Sequence, residues 1–221
     1  MDSPLARGMT AGVRSAMDDV CPQCEKLSNL CVCEAVEPVD NRIFVLILRH
    51  PQEQDRKLGT AKIATLQLKN SALKTGLSWA NLKKASGQED PDPKKWGILY
   101  LGTAKTSQPL PPAPLTVLNR KGGPAEDQRV LEDIEGIILL DGTWQQAKAL
   151  WWRNAWMLKC RRLVLQPPNE SLYGNLRKEP RRESVTPIEA AAHTLAALDG
   201  DDSIVEKILP PFKLLLKKAR R

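Results

Sequence analysis

The 221-residue sequence predicts an α/β fold built on a mainly parallel sheet with helices on both faces. Two observations carry that expectation. Short runs of branched apolar residues at 43–48, 98–101, 137–140 and 162–165 alternate with segments of helical periodicity, as parallel strands joined by crossover helices require. Three of the strand ends, at Gly102, Asp141 and Gln166-Pro167, carry small or chain-turning residues, as a nucleotide-like ligand held by backbone groups would need.

Length suits one domain with a small appendage. A hydrophobic fraction of 42% with 27% charged residues is globular, and no apolar run approaches the length of a membrane span. Residues 1–20 read as a flexible tail. They lack the apolar core of a signal peptide and carry Asp2, Asp18 and Asp19, so the chain is expected to be intracellular. Cytoplasm is the first expectation, with nucleus and organelle open. The net charge of +7 favours a polyanionic partner.

Residues 21–40 form the predicted appendage. Cys21-Pro22-Gln23-Cys24 and Cys31-Val32-Cys33 offer a CxxC pair facing a CxC pair, four thiolates for one tetrahedral zinc. Disulfides are the alternative, which a reducing compartment disfavours. Four protein ligands leave no open position, so the zinc is expected to be structural. The lone Cys160 has no assigned role.

The first strand, Ile43 to Leu48, runs into the polar cluster Arg49-His50-Pro51-Gln52-Glu53-Gln54-Asp55-Arg56. His50 beside a proline reads either as a satisfied loop residue or, in this charged company, as part of a site. A helical pattern follows from about Thr60 to Leu73. Residues 74–95 read as a polar loop with one helical turn, and 98–101 as a short strand. Pro109, Pro111, Pro112 and Pro114 stiffen an exposed connection. Val130 to Glu135 reads as the end of a helix.

The chain is organised around 137–152. Ile137-Ile138-Leu139-Leu140 is a buried strand, Asp141-Gly142 a turn, and Thr143 onward a helix. Asp141 or Thr143 either caps that helix or belongs to a site beyond the strand's carboxyl end. Four of the six tryptophans (Trp144, Trp151, Trp152, Trp156) fall here, as core residues or as surfaces for stacking on bases. After the strand at 162–165, residues 173–182 read as a basic loop. Thr186, Pro187 and Glu189 then form a capping box opening an alanine-rich helix to about Leu198. An amphipathic segment ends the chain. Neither GxxxxGK[ST] nor GxGxxG occurs, which argues against ATP hydrolysis and a standard dinucleotide fold.

Asp141-Gly142-Thr143-Trp144 resembles the D-x-T-W signature of the DTW-domain family of tRNA-uridine aminocarboxypropyltransferases. The cysteine cluster, Arg49-His50-Pro51-x-Glu53 with Gly59-Thr60-Ala61, and Leu176-Arg177-Lys178-Glu179-Pro180 leading to Ser184-x-Thr186-x-x-Glu189-Ala190 follow in the family's order. Gly59 departs from the more usual Asn, and the proline-rich stretch is longer than usual. The resemblance implies a SPOUT-like fold with a C-terminal knot and a DTW catalytic domain over 41–221. It also implies transfer of the 3-amino-3-carboxypropyl group of S-adenosylmethionine to N3 of a tRNA uridine. Under it Asp141, Glu53 and His50 are candidates for the base, and Trp144 for stacking on the uracil. Leu101, Gly102, Asp141, Gly142, Thr143, Gln145, Gln166 and Thr186 are expected around the cofactor. Arg49, Arg56, Arg177, Lys178, Arg181 and Arg182 are expected on the RNA. Two rivals stand beside it: a SPOUT-type RNA methyltransferase, and a non-catalytic zinc-containing RNA-binding module.

Overall fold

Six short segments line up in one sheet, whose inner strands Phe44–Arg49 and Gly136–Asp141 are apolar enough to bury both faces. The computed structural model describes residues 20–53, 57–99, 110–169, 171–173 and 185–220. Its strands are β1 (Phe44–Arg49), β2 (Ser71–Thr75), β3 (Trp96–Leu99), β4 (Leu115–Leu118), β5 (Gly136–Asp141) and β6 (Arg161–Leu165). They are ordered β2-β1-β5-β3-β6-β4, parallel throughout except that β4 runs antiparallel to β6 at one edge. The helices are α1 (Ala61–Gln67), α2 (Leu82–Ser86), α3 (Trp144–Arg153), α4 (Pro187–Asp199), α5 (Ser203–Ile208) and α6 (Pro210–Ala219).

Alternation along the strands divides the core into two layers. Val45, Ile47, Ile137 and Leu139 face α1, α4, α5 and α6, whereas Phe44, Leu46, Leu48 and Ile138 face α2 and α3. Helices therefore cover both faces, as the sequence predicts. Among the described residues no helix is long and apolar enough to cross a membrane.

Three expectations are corrected. The helix predicted from Thr60 to Leu73 ends at Gln67, and the chain returns as strand β2. The cause is tertiary: Asn41 and Asn70 cross-link the turn, with Asn70 N donating to Asn41 Oδ1 at 3.0 Å, and β1 then supplies a ladder for Ser71–Thr75. Leu115–Leu118, unassigned from sequence, is strand β4, and the prolines ahead of it suit an edge position. The helix end predicted at Val130 to Glu135 is only a 3-10 turn, Arg129–Leu131. The second predicted strand, 98–101, is found as Trp96–Leu99, with Tyr100 and Leu101 outside the described residues. The 1–20 tail lies outside them as well, apart from Val20.

The capping box of α4 is present and does more than cap. Glu189, only 2% exposed, accepts from Thr186 N at 3.0 Å, Ser171 Oγ at 2.8 Å and Leu172 N at 2.7 Å, tying 171–172 to the helix start. Glu189→Ala leaves buried donors unsatisfied. It is expected to cost about 3 kcal/mol, read as a lower urea midpoint with unchanged m-value.

Candidate active site and metal centre

A parallel sheet offers ligands a crevice where neighbouring strands send their chains in opposite directions. Here that place lies between β1 and β5. From β1 the chain leaves through α1 on one face towards β2, and from β5 through α3 on the other face towards β6. The register pairs Arg49 with Asp141 at the carboxyl ends of the two strands.

Their side chains also meet. Arg49 Nε donates to Asp141 Oδ2 at 3.3 Å, with side-chain exposures of 19% and 13%. On its other side Arg49 Nη1 donates to Glu25 Oε2 at 3.0 Å. One guanidinium thus bridges a carboxylate at the strand end and a carboxylate from the cysteine segment. The cap alternative for this turn falls to Thr143, which opens α3 with a reciprocal box: Gln146 N donates to Thr143 Oγ1 at 3.3 Å, and Thr143 N to Gln146 Oε1 at 2.7 Å.

Gly142 carries a φ of +149°, and a Cβ there would lie 2.9 Å from Gln146 Oε1. Glycine is therefore needed to pass from Asp141 into the capped helix. His50 is buried; its backbone N donates to the Asp141 carbonyl at 3.0 Å and its Nδ1 accepts from Gln52 N at 3.2 Å. A neutral His50 consequently carries its proton on Nε2. Glu53 follows, its N–H on the His50 carbonyl at 2.9 Å. Trp144, half-buried, is the first residue of α3, with Lys148 Nζ 5.4 Å from its ring centroid, and Gln145 is exposed beside it.

Arg49, His50, Glu53, Asp141, Gly142, Thr143, Gln145 and Trp144 are thus gathered at one edge. Thr186 and Gln166 are held in other work. The Thr186 hydroxyl caps α4, whose Ile188 N donates to Thr60 Oγ1 at 3.3 Å. Gln166 lies two strands from Asp141 and donates its amide to the carbonyls of Pro111 and Ala113, both at 2.9 Å, pinning the proline-rich segment. The predicted Arg56, Leu101, Gly102, Arg177, Lys178, Arg181 and Arg182 lie outside the described residues. Sequence reasoning missed Glu25. Its pairing with Arg49 spans 24 positions and leaves no local pattern.

The four cysteines form the second centre. Cys21 and Cys33 hold their sulfurs 3.6 Å apart, Cys24 and Cys31 theirs 3.7 Å apart, and all four lie within 4.8 Å of one another. A disulfide needs about 2.05 Å. A tetrahedral zinc with bonds of about 2.3 Å needs sulfurs about 3.8 Å apart, so the donor set fits a metal. Backbone N–H groups of Cys24 and Gln23 lower the Cys21 thiol to about 6, whereas burial and the neighbouring sulfurs raise Cys33. The cysteine segment is anchored at both sides: Lys218 of α6 pairs with Glu34 at 2.9 Å and donates to the Cys31 carbonyl, and Glu25, at a φ of +58°, reaches Arg49.

The chain is 27% identical over 207 residues to tRNA-uridine aminocarboxypropyltransferase 2 of Drosophila melanogaster, covering 89% of this chain and 73% of that protein. It is 23% identical over 210 residues to the Macaca fascicularis protein of the same name, covering 88% and 61%. To tRNA-uridine aminocarboxypropyltransferase A of Arabidopsis thaliana it is 25% identical over 215 residues, covering 86% and 76%. The chain thus spans about three fifths of the length of the macaque relative. No solved structure matches it. The family model for the DTW domain matches residues 18–220, nearly the whole sequence, and the chain belongs to the DTW domain family.

Proposed function

We propose that this chain transfers the 3-amino-3-carboxypropyl group of S-adenosylmethionine to N3 of a uridine in tRNA, releasing methylthioadenosine. The observation that carries the reading is the Asp141 carboxylate, held by Arg49 at the β1–β5 switch point inside the family's signature turn. The relatives named above as tRNA-uridine aminocarboxypropyltransferases support the substrate.

Bound S-adenosylmethionine supplies a sulfonium whose attached carbons are all electrophilic. The residues fit such a donor: a carboxylate to offset the positive charge, beside a glycine turn where backbone approaches closely. Orientation by the site must select the methionine γ-carbon over the unhindered methyl. Asp141 accepts the N3 proton, with Glu53 as the next candidate, and Arg49 fixes its carboxylate in direction; His50, whose Nδ1 lone pair is taken by Gln52 N, is left to donate from Nε2 instead of acting as base. Trp144 stacks on the uracil, which must be unpaired because N3 lies on the Watson–Crick edge. Gly142, Thr143, Gln145, Leu101 and Gly102 are assigned to the donor's surroundings, whereas Gln166 and Thr186, engaged elsewhere, are not. Arg56, Arg177, Lys178, Arg181 and Arg182 are assigned to phosphates or to the donor's carboxylate.

The same reading divides the chain into a zinc-binding segment, 21–40, and a catalytic domain, 41–221, with a SPOUT-related core whose knot lies after β6. What supports it is the mainly parallel order β1-β5-β3-β6, which suits a core of that kind; the knot itself rests on the family resemblance. The test is the small-molecule product after incubation with S-adenosylmethionine and bulk tRNA. Methylthioadenosine is expected. Adenosylhomocysteine would mean methyl transfer on the same site.

A further inference from the structure

Four tryptophans share the α3 region, and packing explains only some of them. Trp156 is buried, donating Nε1 to the Trp79 carbonyl at 3.0 Å, and Trp151 packs against the same apolar layer. Trp152 is 78% exposed. A side chain of this size left in water contributes nothing to the core and leaves its ring open to a partner.

Its surroundings are of one sign. The sequence has no Asp or Glu from Arg56 to Gln88, nor from Gly142 to Gln166. The fold brings parts of these two stretches together. Ser78 Oγ donates to the Arg153 carbonyl at 3.1 Å, Asn154 Nδ2 to the Leu77 carbonyl at 3.0 Å, and Trp79 N to Asn154 Oδ1 at 2.8 Å. Leu82 and Ala85 of α2 share the apolar layer of Leu150 and Trp156. The two segments so joined carry Lys83, Lys84, Lys148 and Arg153, all exposed, with the exposed Leu77 and Leu158 among them. Acids resume at Glu89, Asp90 and Asp92, of which Asp92 lies near Cys160, past the end of α3.

Trp144, Lys148 and Trp152 are spaced i, i+4, i+8 and so form one stripe along α3. The stripe begins at the proposed site and runs about 12 Å, on the order of three stacked nucleotides. We infer that the outer face of α3 is an RNA-binding surface beyond the reaction centre, on which a base flanking the target uridine stacks on Trp152 while Lys148, Arg153, Lys83 and Lys84 meet its phosphates. The inference rests on the tRNA substrate proposed above. A polyanion with exposed bases matches both features of the face, the bare aromatic ring and the single sign of charge.

The test uses the full chain and an unmodified tRNA transcript, with affinity followed across salt concentrations and KM measured for tRNA. Trp152→Ala is expected to weaken tRNA binding about tenfold or more and to act on KM for tRNA more than on kcat, with S-adenosylmethionine affinity unchanged. Trp152→Phe, which keeps a ring, recovers most of the loss. Lys148→Gln with Arg153→Gln lowers the slope of log affinity against log salt by about 1 to 2. A Trp152→Ala chain that modifies tRNA with the original KM overturns the inference alone. So does a variant that loses self-association on gel filtration while binding tRNA as before, since the face would then serve protein contact. A parent chain that neither binds nor modifies tRNA overturns both this inference and the proposed function.

Discussion

Asp141→Asn is expected to slow transfer to tRNA by a factor of about 10² to 10⁴ in single-turnover measurements, with the fold intact. Asn keeps the size of the side chain and an acceptor oxygen, so the turn into α3 survives; Thr143, not Asp141, caps that helix. What is lost is charge. The amide cannot take the N3 proton, offset a sulfonium, or form an ion pair with the Arg49 guanidinium 3.3 Å away. Asp141 could instead be an anchor alone, with water taking the proton. In that case Asp141→Asn would retain a rate within a few fold of the parent.

Metal removal is the second large effect. A strong chelator, or Cys24→Ser at the fully buried cysteine, is expected to lower the melting temperature by about 5 to 10 °C, on the order of 2 to 3 kcal/mol for a chain this long. Elemental analysis should find one zinc per parent chain and none after chelation. The consequence should reach the site, because Glu25 sits directly after Cys24 and braces Arg49 at 3.0 Å. S-adenosylmethionine affinity is therefore expected to fall together with the metal. Unchanged melting temperature and donor affinity after complete zinc loss would detach the cysteine segment from both stability and the site.

Legibility in the sequence followed the range of the interactions. The strand, turn and helix at 136–153 could be read because each signal is local: an apolar run, Asp-Gly, and helical periodicity from Thr143, although the choice of Thr143 over Asp141 as cap came only with its box to Gln146. Thr186, Pro187 and Glu189 were readable for the same reason. Edge strands β2 and β4 were not, because what makes Ser71–Thr75 and Leu115–Leu118 strands is a ladder offered by β1 and β6 elsewhere in the chain. Within the site, the types of Arg49 and Asp141 were legible but not their pairing across 92 positions. The reach of Glu189 to Ser171 and Leu172 was hidden likewise, since a capping box predicts only its own reciprocal bonds.

The central claim is transfer of an aminocarboxypropyl group to tRNA, and nucleoside mass spectrometry of tRNA treated with the chain and S-adenosylmethionine tests it most directly. The account predicts a uridine heavier by that group, formed by the parent chain and nearly absent with Asp141→Asn. A methylated nucleoside, or tRNA left unmodified by a zinc-loaded chain that binds S-adenosylmethionine, would contradict it.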